Sequence, residues 1–201
     1  MKKYKNLLLL LSILLLSLGQ LSCEEKFIYT TGEKSKNSPP FIQSVKNNDV
    51  DRVKVLLSQN ININQRDNSG NSALIYSVVN GNIKMLKLLL YDGCNVDAAN
   101  NIGNTPLMYA SAIGHPDLIE LLLNNGADIH AKNKGGNTAL LVAASTGNDK
   151  SAILLLNHGA DINGKNIKGN TAYAEAISWN NKITARRIEN YAKHHNIFLV
   201  K

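Results

Sequence analysis

NTPLMYASAIGHPDLIELLLNNGADIHAKNKGG, residues 104–136, opens on a polar residue, holds two short apolar runs and closes on a pair of glycines. Thr105 stands before Pro106, an arrangement that starts a helix. The hydroxyl accepts from an early amide, and proline lacks an N–H where none is needed. The helix is expected to stop at Gly114, where a left-handed backbone is cheap without a Cβ. A second helix carries Leu121-Leu122-Leu123 and stops at Gly126. Residues 127–136 are polar and turn-rich, which predicts a projecting, hairpin-like finger.

The same pattern recurs every 33 residues. Blocks 71–103 and 137–169 align with 104–136 without a gap, 38–70 fits with substitutions, and 170–201 is an altered capping copy. Ser72-Ala73-Leu74 and Thr138-Ala139-Leu140 repeat the helix start. Gly81 and Gly147 repeat the first stop, Gly93 and Gly159 the second. The outer copies place Asn48 and Asn180 at the first stop and Asn60 at the second, and asparagine is the residue next most tolerant of positive φ. One block alone has too few core side chains to offset the ordering of its own backbone, so neighbours must cover the triplets Leu88-Leu89-Leu90, Leu121-Leu122-Leu123 and Leu154-Leu155-Leu156. The predicted fold is all-α: a solenoid of stacked helix pairs with hairpin-like loops, about five copies including caps. In the last copy, Arg186, Arg187, Glu189 and Lys193 replace apolar residues, so 182–193 reads as a capping helix with Ile183, Ile188 and Tyr191 turned inward. Ile197-Phe198-Leu199-Val200 is expected to fold back on that cap, with a partner contact as the other reading.

Through Thr105-Pro106-Leu107, Gly114-His115, Ile119-Glu120-Leu121-Leu122-Leu123 and Asn125-Gly126-Ala127-Asp128-Ile129, the chain resembles the ankyrin-repeat family over residues 38 to about 190. One departure is consistent. The family usually has histidine after Thr-Pro-Leu, and here that place holds Ile75, Met108, Leu141 or Ala174, so the family's Thr–His hydrogen bond is not expected. The resemblance implies a non-catalytic, monomeric protein–protein interaction module that meets its partner along the finger tips and the inner face of the first helices. Carried onto this chain, the tips include Arg66, Asn68, Ala99, Asn101, Ile102, Lys132, Lys134, Lys165 and Lys168, and the inner face includes Tyr76, Tyr109, Ile113, Ser145, Thr146 and Trp179. Tyrosine and tryptophan tend to dominate binding energy. Tyr76 and Tyr109 occupy equivalent places in adjacent copies, and ordinary packing along the groove is their alternative role. The lysines of the last two fingers suit an acidic partner, tuning encounter rate more than affinity.

The first 22 residues read as an address. Lys2, Lys3 and Lys5 precede an apolar run from Leu7 to Leu18 interrupted only by Ser12 and Ser17. Those residues as helix rise about 18 Å, short of a hydrocarbon core of about 30 Å. A basic start and a short apolar run mark a secretory signal peptide; an uncut membrane anchor is the alternative. Leu18-Gly19-Gln20-Leu21-Ser22-Cys23 resembles the lipobox of bacterial lipoproteins. That resemblance implies cleavage before Cys23 and a diacylglycerol on its thiol. Gln20 stands where the pattern has leucine, so ordinary cleavage after Gly19 competes with it. Residues 23–37 read as a polar linker spanning on the order of 20 Å, and 38–201 as the repeat domain. The expected location is the bacterial cell envelope, lipid-anchored or periplasmic. A secreted effector acting on proteins of another cell is the alternative.

Composition excludes several other functions. Hydrophobic residues make up 44% of the 201, which argues against disorder. The net charge is +7, and removing the three lysines of the leader leaves +4, with basic and acidic residues interspersed. Nucleic acid is therefore not an expected partner. Gly159-Ala160-Asp161-Ile162-Asn163-Gly164-Lys165 matches a phosphate loop until Asn166 replaces the magnesium-holding hydroxyl, and the repeat already accounts for its glycines. Five histidines and two cysteines show no zinc spacing. Cys94 falls where Ala127 and Ala160 fall, so it reads as a small packed residue. No cofactor, metal or catalytic group is expected.

Overall fold

The computed structural model describes residues 38–200, so the leader, Cys23 and the linker lie outside the described residues. Five helix–turn–helix pairs follow one another: α1 (Pro40–Lys46) with α2 (Val50–Leu57), α3 (Ala73–Val79) with α4 (Ile83–Tyr91), α5 (Pro106–Ile113) with α6 (Pro116–Asn124), α7 (Ala139–Thr146) with α8 (Asp149–Asn157), and α9 (Ala172–Ser178) with α10 (Lys182–His194). First helices pack on first helices through the whole series, and α6, α8 and α10 pack in sequence behind them. No strand occurs among the described residues, apart from an isolated antiparallel bridge between Arg66 and Ser72. The fold is an all-α repeat solenoid.

The helix boundaries follow from local chemistry. Ser72, Thr105, Thr138 and Thr171 each accept a hydrogen bond from the amide three residues on, fixing the start of α3, α5, α7 and α9. At the stops, Gly114 has φ +76° and Gly147 φ +79°, and the outer Asn48, Asn60 and Asn180 take the same left-handed region at 61°, 55° and 60°. Leucines of the triplets are sealed unevenly. Leu89, Leu122 and Leu155 are fully buried and Leu156 nearly so, while Leu88, Leu90, Leu121, Leu123 and Leu154 are half-buried against the core.

Gly114 serves a second purpose. A Cβ there would lie 2.3 Å from the Asn148 side-chain oxygen. Asn148 belongs to the following copy, and its Nδ2 donates to the Ala112 carbonyl at 2.7 Å. Asn181 repeats this tie one copy later, donating to the carbonyls of Ala144 and Ser145. Gly114→Ala is therefore expected to cost about 1–2 kcal/mol for the left-handed backbone and about 1 kcal/mol more for the displaced hydrogen bond. Urea unfolding reads the loss, and an unchanged midpoint would contradict it.

The last copy differs from expectation in one respect. Ile188 is buried and Tyr191 is half-buried with its hydroxyl on the Leu156 carbonyl, but Ile183 is 71% exposed. Its register equivalents are Lys84, Asp117 and Lys150, so the position faces solvent in every copy. The tail does fold back. Asn163 donates to the Phe198 carbonyl and accepts from the Val200 amide, and Thr171 donates to the Val200 carbonyl. In earlier copies the equivalent Asn64 and Asp97 accept from the amides of Asn95 and Asp128 in the next copy. The tail therefore takes the seat of a further finger.

Candidate protein-docking surface

Each finger is built around one side chain. The amides of Asp67, Asn100, Asn133 and Asn166 pair with the carbonyls of Asn71, Asn104, Asn137 and Asn170, closing four equivalent turns. The Oδ1 of each of the four then accepts from the amides two and four residues on. The remaining Nδ2 of Asn100, Asn133 and Asn166 reaches back one copy, to the Oδ1 of Asn71, Asn104 and Asn137 at 3.1, 2.7 and 3.0 Å. Main-chain bonds run alongside, from the amides of Asn101, Lys134 and Ile167 to the carbonyls of Ser69, Ile102 and Gly135. An asparagine ladder thus fixes finger to finger. It supplies rigidity where the Thr–His bond of the resemblance is missing.

The ladder also explains the tyrosines, and it corrects their expected role. Tyr109 is 0% exposed and Tyr76 5%. The Tyr109 hydroxyl accepts from Asn100 Nδ2 at 2.9 Å, while the Tyr76 hydroxyl donates to Asp67 and accepts from Asn71 Nδ2. Both rings fill the space between finger and first helix, so they brace the fingers from inside and present no docking area. At the same register position, Glu175 accepts from Asn166, Asn170 and the Trp179 indole. Lys46 completes the first rung, 3.2 Å from Asp67 and with its ammonium 4.3 Å from the Tyr76 ring centroid. Burial pushes the Asp67 carboxyl up, yet hydrogen bonds from Tyr76, the Asn71 amide and Lys46 outweigh it and hold it below the usual 3.8. Burial, then the hydrogen bond to Asp67, raises the Tyr76 phenol. Cys94 is buried with its thiol pushed up to about 11 by burial, consistent with a small packed residue.

The other candidate residues stay at the surface in two groups. Arg66, Asn101 and Lys132 are exposed but bonded across fingers, to the carbonyls of Ala99, Asn68 and Lys165 at 2.7, 2.9 and 3.2 Å. Lys134, Lys165 and Lys168 are exposed and take part in no ion pair among the described residues. On the first helices, Ile113 is half-buried, Ser145 and Thr146 bond within their own helix, and Trp179 is 40% exposed. Ile167 was not among the expected tip residues, yet it is 76% exposed. Its equivalents are Asn68, Asn101 and Lys134, so alignment in the 33-residue register is the signal that isolates it.

A row of rigid fingers on a helical stack, with exposed side chains projecting from a braced backbone, defines a scaffold for binding rather than for chemistry. A family model of ankyrin repeats in three copies matches residues 11–100, 41–133 and 107–195. The chain belongs to the ankyrin-repeat family. It is a protein–protein interaction module, of a family generally without enzymatic activity. No curated protein matches the chain. Among the described residues, no helix is long and apolar enough to cross a membrane.

Proposed function

We propose that the chain is an exported ankyrin module, lipid-anchored through Cys23 in the bacterial envelope, that binds another protein as a monomer along its finger ridge. The observation that carries the reading is a braced ridge following an export-type leader. Side chains such as Ile102 and Ile167 stand in water although the fold does not require them apolar, since the other copies hold polar residues or glycine there. Residues 23–37 would hold the ridge clear of the bilayer surface.

Intact-mass analysis of the mature protein tests the anchor. A chain beginning at Cys23 with a diacylglycerol is expected, and an unmodified N-terminus at Gln20 would overturn it. Gln20 in the lipobox is the one residue that favours the second reading, a secreted effector, and free protein in the medium would support that reading. The ridge is tested separately by affinity capture with Ile102→Asp/Ile167→Asp/Trp179→Ala, expected to lose its partner. Retention of every captured protein would put the docking face elsewhere.

A further inference from the structure

We infer that the third and fourth fingers form a dedicated subsite for an acidic protein segment carrying an apolar side chain, a refinement that rests on the protein-binding reading above. The repeats act as an internal control. Residues 65–71 of the first finger hold Arg66 and Asp67, which cancel, and 98–104 of the second hold no charge. Residues 131–137 and 164–170 hold Lys132, Lys134, Lys165 and Lys168, with Asp128 and Asp161 three residues before each stretch. Four positive charges are thus gathered on two adjacent fingers. The ladder and the Lys132 contact with the Lys165 carbonyl hold those fingers together. The main-chain bond from the Ile167 amide to the Gly135 carbonyl places Ile167 at the junction of the two tips, flanked in sequence by Lys165 and Lys168. Four lysines against the two carboxylates Asp128 and Asp161 leave these two fingers with a net charge of +2, a surplus that an acidic partner offsets. The apolar tip adds contact area that the charges alone lack. A carboxylate-rich segment with a leucine or phenylalanine between its acids fits both features.

The test uses the full-length chain in detergent and a fluorescent ten-residue peptide alternating glutamate with leucine, read by anisotropy. Saturable binding is expected, weakened at least about tenfold by Lys134→Glu/Lys165→Glu/Lys168→Glu and by raising salt well above 0.1 M, where the screening length is about 10 Å. Lys84→Glu/Lys87→Glu/Lys150→Glu makes the same charge change on the second helices and should bind as the parent does. Ile167→Asp should weaken binding as well, with thermal unfolding confirming that each variant stays folded. No binding of the peptide, equal weakening by both triple variants, or binding only to phosphatidylglycerol vesicles would overturn the inference. If the lysine-to-glutamate finger variant still captured the natural partner, this subsite would fail while the protein-binding reading stood.

Discussion

Asn100→Ala is expected to destabilise the protein by about 3–5 kcal/mol, more than any surface change on the ridge. The side chain accepts from the amides of Ile102 and Asn104 and donates to Asn71 Oδ1 and the Tyr109 hydroxyl. Alanine leaves all four without that partner, and three of them belong to buried residues. Each buried group that loses its bond costs up to about 1–3 kcal/mol, and other contacts and relaxation recover part of the total. Asn133→Ala breaks the equivalent rung with fewer buried partners, so about 1–3 kcal/mol is expected there. Urea unfolding monitored by far-ultraviolet circular dichroism gives both numbers. A loss below about 1 kcal/mol at Asn100 would mean that the ladder does not hold the fingers.

The rung at Asp67 makes the same connection with a charge, and it should respond to pH. Removing it with Asp67→Ala leaves the Lys46 ammonium, which is 15% exposed, with the Ser38 hydroxyl but no carboxylate, and takes the acceptor from the Tyr76 hydroxyl and the Ser69 and Asn71 amides. Breaking such a pair from one side costs about 3–5 kcal/mol. The carboxyl titrates below its ordinary 3.8 in the folded chain, because the hydrogen bonds it receives prevail over burial. The folded state therefore binds its proton more weakly than the unfolded state. The contribution is complete above the unfolded pKa and fades as pH falls below 3.8 through the folded value. The penalty of Asp67→Ala should accordingly be full at pH 7 and shrink in that acidic window. Asp97 bears the opposite sign: burial and the neighbouring Asp128 charge raise it against a backbone hydrogen bond from Asp128. Its contribution is therefore greatest below the unfolded pKa and is lost as pH rises through the folded value, so Asp97→Asn should steepen the acid loss. An Asp67→Ala penalty that stays constant from pH 7 to pH 3 would refute the assignment.

Much of the architecture could be read from punctuation. Gly114, Gly147, Asn48 and Asn180 mark left-handed positions because few other residues tolerate them, and Thr105-Pro106 marks a helix start for reasons confined to a few atoms. The ladder was not legible, because Asn100 and Asn133 look like any turn asparagine. Only their distance from Asn71 and Asn104 across copies reveals the job. Tyr109 misled for a related reason. A ring on the first helix suits a groove or a finger brace equally well, and the Asn100 amide decides between them. Ile183 reads inward by hydrophobicity alone, whereas its register equivalents Lys84 and Lys150 mark the position as wet. On the candidate surface, the lysines and Ile102 are legible as tips one at a time, whereas Ile167 stands out only when the copies are aligned in the 33-residue register.

The seating of Phe198 and Val200 on Asn163 bears on how such an array changes size. A 33-residue cassette duplicated in the interior meets neighbours of the same pattern on both sides and leaves the tail untouched. One inserted between Asn163 and the tail would have to evict Val200 from Thr171 before it could stack. Lengthening of this protein is thereby steered to its middle, and a variant with an extra internal copy should keep both ends while gaining a longer ridge.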